Sequence, residues 1–412
     1  MDRTAWRGVG AELLAGLVTA LFSVPEGIAY AAMAGFEPAA GLYAGVVPAA
    51  LGSLLSATPV LVTTLTTAVA LTSRTALQQA QLTATPGNVA ALALLVGVAM
   101  AVLALLRVDA LLRRVRPAAL TGFSAGIAVQ IVAGALPEAT GYHPHRHNPV
   151  LRILLCAAHP HGWERARAVA AVATVLVWLA VFAVRRVRAL AVPVALAATS
   201  AGVCWAHLPV PSAASLGPLP SGLPALTVPC WPVLPRLALG AAAVALVALA
   251  QAAGVAAPGQ QAQVRRRWGH DVWAQAAANL AGAFCQAMPA GGSLSRTAVA
   301  VAAGGRTRWA GVSSGVALAL LVAFGGRAVA AIPLPVVGAL LALVGGKLLV
   351  GRRAAVGLAW RGGAVDRALL LGTLALSTEV PLTYALLAAT GASLALRRRP
   401  LGARAEAEPD FL

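Results

Sequence analysis

Apolar stretches of about 20 residues recur along almost the whole chain, separated by short clusters of arginine. A stretch of that length is what an α-helix needs to cross a hydrocarbon core of roughly 30 Å. Of the 412 residues, 59% are hydrophobic and 11% are charged, too little polar surface for a soluble domain of this size. The chain therefore reads as an all-α polytopic membrane protein. Spanning backbone must satisfy its own hydrogen bonds, and a helix does so within one segment. The net charge of +18 does not point to nucleic acid. The arginines are scattered between apolar segments instead of gathered on one patch, so no nucleic-acid partner is expected.

About fourteen membrane segments are expected. They fall near 9–34, 40–55, 58–80, 88–108, 116–136, 168–184, 187–206, 237–257, 271–288, 292–304, 307–328, 331–351, 364–378 and 380–396. The first follows Arg3 and Arg7, is too long for the apolar part of a signal peptide, and carries Pro25 and Glu26; it reads as an uncleaved membrane helix. With the N-terminus in the cytoplasm and strict alternation, most of the 31 Lys+Arg fall on the inner side. Only Arg74, Arg146, Arg152, Arg165, Arg167, Arg236 and Arg327 fall outside. That bias obeys the positive-inside rule and places both termini in the cytoplasm of a cell whose plasma membrane the chain spans many times. Two long connections lie outside. Pro137–Arg167 carries His143, His145, His147, His159 and His161, whose spacing suits a solvated loop better than a metal site. His207–Arg236 is rich in proline. Cys156, Cys204, Cys230 and Cys285 form no CxxC pair and read as small apolar filler.

The two halves resemble each other. Residues 1–206 hold seven segments and residues 237–396 hold seven more, joined by an outer loop over 207–236. Residues 397–412 form a short cytoplasmic tail, with no further soluble domain expected. In each half the third segment follows a proline: Thr58-Pro59 in the first, Pro289 to Ser295 in the second. Seven segments per half make the halves run in opposite directions. This is the inverted-repeat plan of secondary transporters, whose site lies at the midplane between paired broken helices.

Those broken segments hold the candidate site. After Pro59 comes Val60 to Val69, including Val62, Thr63 and Thr64. After Pro289 comes Ala-Gly-Gly-Ser-Leu-Ser-Arg-Thr, including Gly292, Ser293, Leu294, Ser295 and Arg296. Both read as helix N-termini in mid-membrane, with free N–H groups and positive dipole ends across a gap. Such a place binds anions. Gly291 and Gly292 let backbone approach a ligand closely, and the hydroxyls can donate. An arginine costs about 2.5–3.5 kcal/mol at a membrane helix centre on insertion scales. At a helix N-terminus it also has the wrong sign for the dipole. Either an anion visits Arg296, or the guanidinium is structural, bonded to carbonyls or to Glu26. Glu26, midway through the first segment, is in turn either a proton-coupling carboxylate or the static partner of that arginine. Gln251 and Asn279 read as interhelical hydrogen-bonding residues, with Gln251 also a candidate to line the site.

At these residues a family resemblance is visible. Val24-Pro-Glu-Gly-Ile-Ala-Tyr-Ala31, Ala34-Gly-Phe-Glu-Pro38 and Gly41-Leu-Tyr-Ala-Gly45 resemble the opening of the SulP (sulfate permease) anion transporters. Arg116-Pro-Ala-Ala-Leu-Thr-Gly-Phe-Ser-Ala-Gly126 resembles their fifth segment. Asn279-Leu-Ala-Gly282 with Pro289 to Ala298 resembles their tenth-segment signature, arginine included. The resemblance implies a uracil-permease-like fold with a core (segments 1–4 and 8–11) and a gate. It also implies an anion held between segments 3 and 10, elevator-like movement and usually a homodimer. Three departures stand out: no C-terminal STAS domain is expected here, Gln251 replaces a carboxylate of many members, and Glu26 replaces a glutamine of many eukaryotic ones.

The expected function is secondary transport of a small anion such as sulfate, bicarbonate or a dicarboxylate, with a proton as co-substrate and no cofactor or metal. The alternatives are an anion exchanger or channel, or a nucleobase-type permease of the same fold. A nucleobase permease of the same fold needs carboxylates where Gln251 and Arg296 stand. An enzyme needs a cluster of acid, base or metal ligands that Glu26 alone does not supply.

Overall fold

The computed structural model describes residues 3–106, 115–144, 146, 148–185, 187–216, 222–253, 261–380 and 382–396. His145, His147 and the tail 397–412 lie outside them. The first half contains α1 (Arg3–Met33), α2 (Pro38–Tyr43), α3 (Val47–Leu55), β1 (Thr63–Thr64), α4 (Thr67–Gln79) and α5 (Pro86–Leu105). It continues with α6 (Pro117–Thr140), α7 (Pro149–Ala158), α8 (Arg165–Ala183) and α9 (Ala191–Trp205). The second half contains α10 (Leu234–Ala253), α11 (Gln261–Ala283), β2 (Gly291–Gly292), α12 (Leu294–Ala302), α13 (Trp309–Phe324) and α14 (Gly326–Ala330). It ends with α15 (Leu334–Gly351), α16 (Arg353–Arg361), α17 (Ala364–Glu379) and α18 (Leu382–Ala395).

Among the described residues, 7 helical stretches are long and apolar enough to cross a membrane by length and composition. A helix stands at the place of each expected segment, with three differences. The second segment is two helices, α2 and α3, broken at Ala44–Val46 ahead of Pro48, which sits at the start of α3 where its missing N–H costs nothing. The ninth segment runs from 261 to 283 instead of 271–288, because residues 284–290 have already unwound. The connection after α6, expected to lie outside, is not all loop. It contains α7, an amphipathic helix whose start is capped by Asn148, the side-chain oxygen accepting from the Leu151 amide at 3.0 Å.

Helices pack in two groups. In one, α1 packs on α13, α5 on α10 and α11, α3 on α11 and α13, and α4 on α10. In the other, α6 packs on α15 and α17, and α8 on α9 and α15. Sequence explains the two interruptions that matter. From Ser56 to Thr66 the chain passes through Pro59 and a run of β-branched residues that favour extended backbone. From 284 to 293 it passes through Pro289, which lacks a donor, and Gly291–Gly292. Extended backbone in a bilayer needs hydrogen-bond partners. Each stretch finds some of them in the other: β1 and β2 pair antiparallel, Thr63 opposite Gly292 and Thr64 opposite Gly291. Only glycine fits β2. A Cβ on Gly291 would lie 2.8 Å from the Ala248 Cβ, and one on Gly292 2.7 Å from the Ala252 Cβ, because α10 packs directly against the strand.

Candidate functional site

The strand crossing brings two helix starts together. Thr66 caps α4, its hydroxyl accepting from the Val69 amide at 3.3 Å and donating to Gln251 Oε1 at 2.6 Å. Ser293 caps α12, its hydroxyl accepting from the Arg296 amide at 3.3 Å. The Ser293 amide donates to the Val62 carbonyl at 2.9 Å, and the Val62 amide to Thr297 Oγ1 at 3.1 Å. Each helix begins in mid-fold with first-turn amides that have no intrahelical acceptor, so positive dipole ends converge on one region.

Arg296 stands behind these starts and is 1% exposed. Its Nε donates to Ser23 Oγ at 2.8 Å, and a terminal nitrogen donates to the Leu65 carbonyl, just past β1. The same nitrogen lies 3.3 Å from Glu26 Oε2. Glu26, equally buried, accepts from the Tyr30 hydroxyl at 3.2 Å and from the Ser295 hydroxyl at 3.4 Å. Ser295 Oγ is 3.2 Å from Ser293 Oγ. The guanidinium therefore ties three elements: α1 through Ser23 and Glu26, the end of β1 through Leu65, and its own helix α12. A buried pair of this kind is weak evidence for stability, yet removing one partner strands the other charge.

A partly open cavity lies against the two helix starts. Tyr30, Thr66, Thr67, Gln251, Ser293 and Ser295 line it from the first group of helices. Ser124, Ile127, Ile131, Leu348 and Arg352 line it from α6 and the end of α15, in the second group. The cavity is thus a seam between the groups, polar on one wall and largely apolar on the other, with one guanidinium at its edge.

Of the residues expected from sequence, Ser293, Ser295 and Gln251 line the cavity. Glu26 and Arg296 sit in the wall behind it, joined to it through Ser295. Val62 and Gly292 belong to the strand crossing, and Leu294 is the first residue of α12. Thr63 and Thr64 are not among the cavity-lining residues; both are fully buried, with no hydrogen-bond partner on either hydroxyl. From this arm the hydroxyl-bearing residues on the cavity are Thr66 and Thr67, a few residues further along the same run. A threonine directly before a helix is the signal that identifies Thr66 as a cap. Tyr30 follows Glu26 by one helical turn, which is how it reaches the carboxylate. Ser124, Ile127, Ile131, Leu348 and Arg352 carry no sequence signal for this location, since only packing of α6 and α15 brings them there. Asn279, expected to bond between helices, holds the approach to β2: its Oδ1 accepts from the Ala290 amide at 2.8 Å, and its Nδ2 donates to the Ala290 carbonyl at 2.9 Å.

Known proteins share this fold. The fold superposes on SLC26A9 with a TM-score of 0.77 at 17% identity, covering 95% of this chain and 65% of that one. It superposes on the transmembrane domain of a cyanobacterium bicarbonate transporter, BicA, with a TM-score of 0.70 at 18% identity, covering 96% and 98% of the two chains. In sequence, a probable sulfate transporter of Mycobacterium tuberculosis is 30% identical over 356 residues. The aligned region is 81% of this chain and 60% of that relative, so the chain spans about 60% of the relative's length. A chloroplastic sulfate transporter of Arabidopsis thaliana is 26% identical over 334 residues, 76% of this chain and 47% of the relative. Residues 10–373, which include both strand arms and all the residues that line the cavity, match the sulfate permease family, and the chain belongs to that family.

Proposed function

We propose that this chain carries a small anion across the cytoplasmic membrane by alternating access, with a proton as co-substrate. The observation that carries the reading is the convergence of two capped helix starts and two serine hydroxyls on one cavity, with a buried Arg296–Glu26 pair directly behind. Helix N-termini favour negative charge, and the Ser293 and Ser295 hydroxyls lie at the same place. Sulfate, bicarbonate or a dicarboxylate suits this chemistry. The relatives named for sulfate and the structural neighbour named for bicarbonate support the inorganic oxyanions.

Glu26 acts as a tethered competitor for the anion. Ionised, it neutralises Arg296 and holds the Ser295 hydroxyl. A proton arriving on Glu26 cancels its charge, so Arg296 contributes an uncompensated positive charge to the site just as the anion arrives. Release of the anion and loss of the proton restore the ion pair, which ties the two movements together. The first group of helices then moves as one body against α6 and α15, an elevator-like step, since the cavity is the seam between them. Fourteen crossings in two inverted halves, both termini in the cytoplasm and a homodimer complete the reading.

The test is uptake of labelled sulfate and labelled bicarbonate into proteoliposomes, with and without an inward proton gradient. Accumulation above the outside concentration, driven by the proton gradient, is expected. Uptake that only equilibrates the anion, and that ignores the gradient, contradicts proton-coupled transport and favours a channel.

A further inference from the structure

One face of α11 carries three buried polar residues at a spacing of one helical turn: Asp271, Gln275 and Asn279, which are 2%, 0% and 1% exposed. Positions i, i+4 and i+8 lie above one another on a helix. None of these side chains lines the cavity. Each is committed to the backbone or side chains of the two broken segments.

Asp271 gathers the approach to the first one. Its Oδ1 accepts from Ser56 Oγ at 2.7 Å, from the Ala57 amide at 2.8 Å and from the Thr58 amide at 3.0 Å. Its Oδ2 accepts from Thr58 Oγ1 at 2.5 Å. Gln275 reaches the second segment: its Oε1 accepts from the Gly292 amide at 2.9 Å, one residue before the Ser293 cap. Asn279 holds Ala290 on both its amide and its carbonyl. The rungs also brace one another. Gln275 Nε2 donates to the Asp271 carbonyl at 3.2 Å, and Asn279 Nδ2 to the Gln275 carbonyl at 2.8 Å. Both arms of the crossing are thus bonded to one helix face within about 12 Å along its axis.

We propose that Asp271, Gln275 and Asn279 are positioning residues: a polar ladder on α11 that sets the register of β1 against β2. In doing so it fixes the separation of the two helix starts that receive the anion. The inference rests on the transport reading above. It assigns anion affinity partly to a helix that never touches the anion. A ladder that merely held the fold together would lower stability and turnover without a selective effect on affinity.

The test is sulfate and bicarbonate uptake by full-length variants in proteoliposomes, with hydrogen–deuterium exchange over 56–64 and 290–293 on the same purified proteins. Gln275→Met keeps the volume and removes the acceptor of the Gly292 amide. It is expected to raise KM about tenfold, the size of effect when one buried donor loses its acceptor, to leave Vmax within about twofold, and to speed exchange at 290–293. Asp271→Asn keeps an oxygen for the three Oδ1 donors and an amide that can donate to Thr58 Oγ1, so its KM should stay within about threefold, whereas Asp271→Ala should match Gln275→Met. Thr58→Val, at the half-buried outer rung, gives a milder variant should Gln275→Met fail to fold; a KM raised about threefold is expected. Unchanged KM in Gln275→Met or Thr58→Val, or equal impairment in Asp271→Asn and Asp271→Ala, overturns the ladder. Wild-type protein that takes up neither anion contradicts the transport reading instead, and exchange rates over the two arms still judge the ladder in that case, unaltered exchange overturning it.

Discussion

The two broken segments share a backbone plan and differ in chemistry. Both approach the crossing as extended chain, pair at β1 and β2, and restart as helices under a hydroxyl cap. The first arm is rich in threonine and restarts beside neutral Gln251. The second is made of glycine and serine and restarts beside Arg296, already joined to Glu26. The crossing thus brings together two positive dipole ends, while the buried charged pair belongs to one arm only. The lesson is a division of labour. In the proposed mechanism the first arm shapes the site, and the second controls its sign.

The largest effect that would break this contrast is on the charged arm. Arg296→Ala is expected to abolish anion uptake and, by stranding buried Glu26, to cost about 3–5 kcal/mol of stability. Adding Glu26→Gln should restore much of that stability but not the uptake, as read by thermal unfolding beside proteoliposome assays. If the single variant still transports, charge control does not lie in the second arm. Next in size is Glu26→Gln alone. Uptake should persist with its dependence on the proton gradient gone, because the amide cannot exchange a proton; a mutant that still follows the gradient moves the coupling elsewhere.

Two smaller changes sharpen the comparison. Gly292→Ala pushes a methyl to within 2.7 Å of the Ala252 Cβ. Overpacking of that kind costs about 1–3 kcal/mol, and thermal unfolding of the purified variant measures it; no loss would mean that β2 has room to shift. Thr63→Val replaces a buried, unpartnered hydroxyl by a methyl of similar size. It should change KM less than about twofold and leave stability unchanged or slightly raised, since no hydrogen bond is lost. A marked rise in KM would make Thr63 a ligand of the anion and give the first arm more than a shaping role.

Much of this was legible without coordinates. Pro59 and Pro289 mark the interruptions because proline cannot continue a hydrogen-bonded turn from its own nitrogen. Arg296 and Glu26 stand out because charge in an apolar segment is costly, and the structure joins them. Other features depend on tertiary packing that no local pattern encodes. The register of Thr63 on Gly292 links residues far apart in the chain, and of the α11 residues bonded to the two arms only Asn279 reads in sequence as a hydrogen-bonding one. Thr66, not Thr63 or Thr64, lines the cavity, because a shift of a few residues in where the helix restarts changes which hydroxyls face it. Arg352 reads from charge counting as an inner-side cation, and only the packing of α15 against the seam brings it to the cavity.

The central claim is that the anion sits at the converging helix starts under the control of Arg296. Titrating sulfate and bicarbonate into purified wild-type and Arg296→Ala protein, by calorimetry at fixed pH, tests it most directly. Saturable binding to wild type and none to a folded Arg296→Ala variant is the predicted result; equal affinity in the two would contradict the account.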